Sequence, residues 1–294
     1  RPDVGNMRNF VSVESTLPNT SNANDPLWVK NANGEIVGAN VYYSADAQNP
    51  YLKPITADQV DLSVEHYFGS VGSFSVNIFA KQFDNYIQRG VYSSEYTNNG
   101  VTRRVDVTQP LNGDGATLSG AEVSYQRFFD FFPAPFNGLG IQTNYTYIHN
   151  DGISNTNVTS TTAGSSTASN QTTDAVQVDQ LEGLSDQAYN IVLMYEHDAW
   201  AGRLAYSWRS EYMVTAVDCC VAVPIWNAAT GYLDGSIRYQ FNDHVNLSFE
   251  ASNLLNEETV LEQQVQDADK GGLRLANASF QNDRRFTATL QLTF

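Results

Sequence analysis

Residues 284–294 read Arg284-Arg285-Phe286-Thr287-Ala288-Thr289-Leu290-Gln291-Leu292-Thr293-Phe294. Phe286, Ala288, Leu290, Leu292 and Phe294 share one parity, and Thr287, Thr289, Gln291 and Thr293 share the other. Strict alternation predicts a β-strand with one apolar and one polar face. A chain terminus normally frays, yet the pattern is cleanest at the last residue. Two readings stay open on this segment: the closing strand of a membrane β-barrel, or the edge strand of a soluble sandwich.

Working back from this strand, the same texture recurs. In 57–69, Val60, Leu62, Val64 and Phe68 alternate with polar residues, and a short turn over 69–73 leads into Phe74, Val76, Ile78 and Ala80. Further strands are predicted over 118–129, 139–150, 189–195, 202–214, 230–241, 244–256 and 284–294. A strand over 57–69 rises roughly 33 Å at about 3.3 Å per residue and a tilt of about 40°, enough for an apolar band about 25 Å tall. Ordinary strands average only about 5 to 6 residues. The connections alternate in length: 69–73, 130–137, 198–202 and 242–243 are short, whereas 90–114, 151–185, 215–229 and 257–283 are long and read as loops. Barrels of the outer membrane have short turns at one end and long loops at the other. A sandwich has no reason to sort its loops by end.

Composition agrees. The 294 residues include 16 Tyr, 15 Phe and 4 Trp, yet the mean hydropathy is −0.35, as suits a barrel that is apolar outside and polar inside. No run of about 18 apolar residues exists, so a membrane span can only be made of strands. Sixteen basic against 32 acidic residues give a formal charge of −16. That balance sets nucleic acid aside, because phosphate binding rests on Lys and Arg. No Pro/Ser-rich hinge divides similar halves, which predicts one continuous architecture. The opening RPDVGNMRNF has neither a start Met nor a signal segment, so processing or truncation of a preceding segment is expected. Cys219 and Cys220 are adjacent. Neighbouring Cα atoms sit about 3.8 Å apart, below the usual disulfide span of about 4.4 to 6.8 Å. They read either as a strained vicinal disulfide in an exposed loop or as two free thiols.

Four motifs resemble the TonB-dependent outer-membrane receptors. Asn49-Pro50-Tyr51-Leu52-Lys53-Pro54 leads into the first long strand, although Ile55 stands where members usually carry an acid. Leu118-Ser119-Gly120-Ala121-Glu122 follows a Gly-rich entry, Asn112-Gly113-Asp114-Gly115. A calcium-loop reading of that entry fails, since Pro110 and Ala121 occupy the positions of the first and last carboxylates. Leu181-Glu182-Gly183-Leu184-Ser185 opens another strand, and Ser252-Asn253-Leu254-Leu255-Asn256-Glu257 ends the penultimate one. A terminal Phe, here Phe294, is read in that family by the outer-membrane assembly machinery. The resemblance implies an all-β fold, an antiparallel transmembrane β-barrel. Nine predicted strands would be the C-terminal part of a plugged barrel of about 22. Residues 1–56, with a small hairpin at Asn33-Gly34, would form an extracellular loop region before the barrel strands of 57–294. The plug and earlier strands would lie outside the sequence. Function would be active, TonB-coupled uptake of a scarce small-molecule nutrient.

Candidate residues follow from parity. Asp61, Glu65, Glu122, Arg203, Arg209, Asp234, Arg238 and Glu250 fall opposite the apolar positions and would line a wet lumen. Charges of both signs spread over many strands suit a lining, not acid–base catalysis, and no enzyme is expected. His66, His149, His197 and His244 lack metal-ligand spacing, so neither metal nor cofactor is implied. Tyr145, Tyr147, Tyr189, Tyr195, Tyr206, Trp208 and Tyr239 read as rings at the lipid interface. Trp28, Tyr42, Tyr43, Tyr92, Tyr96 and Trp226 fall in predicted loops, where they would stack on a sugar or pack the loops together. Acidic loops carrying Asp174, Asp179, Glu182, Glu257, Glu258, Glu262, Asp267 and Asp269 would repel an anionic iron chelate, so a neutral carbohydrate is favoured over a ferric siderophore. The alternative class is a soluble or surface-exposed all-β, lectin-like binding module.

Overall fold

The structure, a computed structural model, describes residues 7, 11–25, 27–69, 72–113, 115–153, 176, 178–216, 223–267 and 270–294. Most of the predicted loop 151–185, together with Asp174, Cys219, Cys220 and Asp269, lies outside the described residues.

In chain order, β1 (Val11–Thr16), β2 (Trp28–Lys30), β3 (Ile36–Ala39) and β4 (Tyr42–Ala47) are short. Long strands β5 (Thr56–Phe68) and β6 (Gly72–Asp84) follow, then β7 (Ile87–Asn98), β8 (Val101–Asn112), β9 (Ala116–Phe128) and β10 (Leu139–Asp151). Next come β11 (Gln187–His197), β12 (Trp200–Arg209), β13 (Tyr212–Thr215), β14 (Ile225–Asn227) and β15 (Thr230–Asn242). The chain finishes with β16 (Val245–Ser252), β17 (Glu258–Gln264), β18 (Arg274–Gln281) and β19 (Arg285–Leu292).

Nine strands form one sheet in the order β5-β6-β9-β10-β11-β12-β15-β16-β19. Every adjacent pair in it is antiparallel. These are the nine strands that alternation predicts. The prediction over 202–214 runs too long: β12 stops at Arg209, and Tyr212–Thr215 pairs in a different sheet. The final strand ends at Leu292, with Thr293 N–H still donating to His244 O at 2.9 Å.

Two of the long connections are mostly paired ribbons. Segment 90–114 lies mostly within the β7–β8 ribbon, and 257–283 is mostly the β17–β18 ribbon. Segment 215–229 contributes β14, which pairs with both β13 and β17. Residues 1–56 likewise contain paired strands: β1 lies against β4, and β4 adds in parallel to β8. Asn33-Gly34 does turn a hairpin, β2–β3, with Gly34 at φ 81°. In β8 the apolar parity of Val101, Val105 and Val107 is interrupted by Arg103, so the alternation is too short to read as a strand and the segment reads as loop. One signal was available, Asn99-Gly100, whose φ values of 51° and 75° make the two-residue turn that Asn-Gly favours.

Burial is inverted relative to a soluble sheet. The three hydrophobic clusters are Ala45, Ala47, Val105 and Val107; Phe83, Ala116 and Ile153; and Met213, Ala216 and Trp226. They lie in the ribbons or at their junction with the sheet. By contrast Leu62, Ile78, Phe249 and Leu290 in the nine-stranded sheet are 64, 55, 52 and 60% exposed. Exposing such a side chain to water forfeits roughly 1.5–3 kcal/mol. An apolar solvent is the environment in which this sheet makes sense.

Candidate functional site

The register puts the alternating residues of all nine strands on common faces. One row runs Tyr145, Tyr189, Trp208 and Gly231, another Leu193, Leu204, Gly235 and Ala251, and another Trp200, Tyr239, Leu247 and Leu290. In β5, β6 and β9 the same face carries Val60, Ala80 and Ser119, then Leu62, Ile78 and Ala121. A one-residue slip in any strand would invert its face; the register of β15 against β16 shifts between Gln240 and Asn242, at the short-turn end and beyond these rows.

Two groups of aromatic rings stand on that face. Near the ribbon end Tyr189 stacks on Trp208 at 5.1 Å and tilts against Tyr206 at 5.9 Å, with Tyr145 beside them in the register. Near the short-turn end Trp200 meets Tyr239 at 4.6 Å, and Tyr239 meets Phe241 at 4.7 Å. Trp200 and Trp208 bracket most of β12. Their separation is about 26 Å along the strand at ~3.3 Å per residue, or about 20 Å along the normal at ~40° tilt. Amphipathic rings at two levels separated by an apolar band match a lipid bilayer with two interfaces.

The opposite face is polar. Asp61, Glu65, Glu122, Arg203, Arg209, Asp234, Arg238 and Glu250 all stand on it, as parity predicts. Arg203, Ser236, Glu250 and Thr287 form a single cross-strand row, and with Asp234 and Arg285 they line a shallow groove of about 580 Å³. Among the described residues none of the eight forms an ion pair with another. Three of them make other side-chain bonds: Glu65 accepts from the Tyr67 hydroxyl, and Arg209 and Asp234 bond at the ribbon junction.

Where membrane-length strands hand over to ribbons, the family-like motifs act as fasteners. In Asn49–Pro54, Asn49 Nδ2 donates to Pro110 O at 3.1 Å, Lys53 N–H donates to Asn112 Oδ1 at 2.8 Å, and Asn112 Nδ2 donates back to Lys53 O at 3.0 Å. Leu52 is buried beneath them. In Leu181–Ser185, Gly183 at φ 77° donates its N–H to Met213 O, and Ala216 N–H donates to Glu182 Oε1 at 2.7 Å. Arg209 donates to Ser185 Oγ and Gly183 O, and its guanidinium lies 3.9 Å from the Tyr212 ring centre. Arg209 therefore serves as a boundary clasp as well as standing on the polar face. In Ser252–Glu257, Asn253 at φ 53° accepts from Glu257 N–H at 2.7 Å and donates to Glu257 O and Asn282 O. Asp234 Oδ1 accepts the Asn253 N–H at 2.9 Å, and Glu257 Oε1 accepts the Gly231 N–H. Nearby, burial first and the Glu182 carboxylate second push the Tyr86 phenol above its usual range.

The loop aromatics divide. Trp226 is only 5% exposed, its Nε1–H donates to Gln264 Oε1 at 2.8 Å, and Arg274 lies 3.8 Å from its ring centre. Arg274 is itself paired with Glu211 at 2.8 Å. Trp226 is thus a packing residue of the β13-β14-β17-β18 sheet, and its ring has no open face for a sugar. Tyr43 is partly covered, accepting from Arg103 Nε at 2.8 Å and packing against the β4–β8 cluster. Tyr42 is half-buried; burial first, then the Asp106 carboxylate, push its phenol well above the usual range. Trp28 donates to Asn22 O at the β2–β3 hairpin, and Tyr96 stands near the β7–β8 tip, 39% exposed. Tyr92 is paired through its backbone with Val107. The histidines are dispersed: His66 stacks near Phe68, His197 lies beside Asp198, and His244 bonds Thr293 O, while His149 pairs in register with Ser119.

Comparison with known proteins places this geometry. A sequence model described as TonB dependent receptor-like, beta-barrel matches residues 2–254. A search of curated proteins by sequence finds no significant match. Among solved structures, a mutant of the ferric enterobactin receptor PfeA from Pseudomonas aeruginosa aligns with a TM-score of 0.54 at 16% identity, over 97% of this chain and 38% of its own. The siderophore receptor PirA from Acinetobacter baumannii aligns with a TM-score of 0.49 at 14% identity, over 96% of this chain and 36% of its own. The chain therefore spans somewhat more than a third of these receptors. With the match covering most of its length, the chain belongs to the TonB-dependent receptor β-barrel family, proteins of the Gram-negative outer membrane.

Proposed function

We propose that this chain builds part of the wall and the outer cap of a receptor that takes up a scarce nutrient across the outer membrane with TonB as its energy-coupling partner. The observation that carries the reading is the single apolar face shared by nine strands and bounded by two aromatic belts. Sorted connections set the orientation: short turns face the periplasm, whereas the ribbons and residues 1–56 face outward. Strands β5 and β19 each have one unpaired edge in this sheet. Open edges in lipid leave backbone groups unsatisfied, so further strands complete the wall, as in plugged barrels of about 22. The eight charged residues of the polar face then line the lumen.

For the cargo, the formal charge of −16 disfavours an anionic iron chelate and favours a neutral carbohydrate. Tyr96, with its exposed ring, and the half-buried Trp28 are the candidate stacking residues; Tyr92 is a third by its place in β7. The solved neighbours are siderophore receptors, and at 14 to 16% identity they speak for the fold. Binding of labelled oligosaccharides and ferric siderophores to the detergent-purified receptor tests the cargo. Saturable oligosaccharide binding, weakened about tenfold by Trp28→Ala, is expected. High-affinity siderophore binding with none for oligosaccharides would overturn the carbohydrate assignment and leave uptake standing. Uptake by cells that is unaffected by loss of TonB would overturn active transport.

A further inference from the structure

The short-turn end of β9 holds a basic aromatic cluster that the transport reading does not use. Arg127 stands on the apolar face, paired in register with Ile141. Among the described residues of the nine strands it is the one Lys or Arg on that face. Its guanidinium carbon lies 5.4 Å from the Phe68 ring centre and 4.9 Å from that of Phe131, and it forms no ion pair with a carboxylate among the described residues. Beyond it the turn reads Phe129-Asp130-Phe131-Phe132-Pro133. Phe131 packs on Phe132 at 4.5 Å and edge-on to Phe129 at 5.9 Å, yet Phe131, Phe132 and Phe136 are 60, 43 and 57% exposed. A cation placed on a lipid face needs a counter-charge, and exposed phenyl rings around it need an apolar medium.

We infer that Arg127, framed by Phe68, Phe131 and Phe132, is a binding site for the phosphate of a glycerophospholipid in the leaflet on the short-turn side. This rests on the membrane reading of the sheet. The planar guanidinium fork fits two phosphate oxygens, the rings shield that contact from water, and the exposed phenyls sit among the upper acyl carbons. The level agrees: Tyr125, one pleat along on the same face, stacks with Phe68 at 6.1 Å. Trp200, Tyr239 and Phe241 form the belt at the same end of the sheet.

The test is native mass spectrometry of the receptor carrying this chain, purified from outer membranes in mild detergent and titrated with palmitoyl-oleoyl phosphatidylglycerol. Arg127→Gln should weaken the tightest lipid adduct about tenfold, Arg127→Lys less so because it keeps the charge and loses the fork, and Arg203→Gln on the polar face not at all. Each variant is first shown to keep the folded mobility on an unheated gel. Equal lipid retention by wild type and a folded Arg127→Gln or Arg127→Lys variant would overturn the proposal. Loss of a lipopolysaccharide adduct in place of phospholipid would overturn the leaflet assignment, and loss of a co-purifying protein would reassign the patch. A chain that alkali strips from membranes without detergent would instead overturn the membrane reading beneath it.

Discussion

Single side chains hold the boundary between sheet and ribbon. Asn253 combines a left-handed backbone with side-chain bonds that tie the end of β16, the start of β17 and the turn after β18 together. Asn is among the few non-glycine residues that adopt this region readily and can also satisfy three backbone groups. Asn253→Ala should destabilise the fold by about 2–4 kcal/mol, seen as a lower temperature for loss of the compact gel band. Asn253→Gly restores the backbone and not the bonds, so it should recover part of that loss. Tyr42 gives a pH prediction. Its phenol is raised, so the folded state keeps a proton that the unfolded state loses above about pH 10. Stability from this group is therefore complete below about pH 10 and falls as the pH rises beyond it. Tyr42→Phe should flatten that alkaline decline, measured by unfolding at a series of pH values between about 9 and 12.

At the scale of elements, parity is the organising fact. Leu204 lies midway along β12 between Trp200 and Trp208, whereas Ala205 points to the polar face. Leu204→Arg should cost about 2–4 kcal/mol and lower the yield of assembled protein, while Ala205→Arg should assemble normally, as read by folded protein in the outer membrane. Similar costs for both substitutions would contradict a two-faced wall. At the ribbon junction, a Cβ on Gly115 would sit 2.5 Å from Asp84 Oδ1 and 2.8 Å from Phe83 O. Gly115→Ala must push the β6 and β9 ends apart, and should cost about 1–3 kcal/mol in thermal stability.

At the scale of the molecule, the balance of exposure decides the environment. Buried clusters lie in the ribbons and at their base, and the nine-stranded sheet is apolar on one side and polar on the other. Washed membranes treated with carbonate at alkaline pH should retain the chain, and detergent should release it. Release without detergent would return the soluble, lectin-like alternative.

The sequence by itself determined the nine strands, their facing and the sorting of short and long connections, because alternation and turn chemistry are local properties. It also carried the motifs of Asn49–Pro54 and Ser252–Glu257, though not their purpose. Only the tertiary structure showed that Asn112 and Asn253 are backbone fasteners, since their partners Lys53 and Asn282 are distant in the chain. It likewise decided that segments 90–114 and 257–283 are mostly paired ribbons, that Trp226 is buried under Arg274 and closed to a ligand, and that Arg103 partly covers Tyr43. The apolar parity of β8 is broken at Arg103, and the burial of a ring depends on contacts made across strands. Those contacts exist only once the register is set.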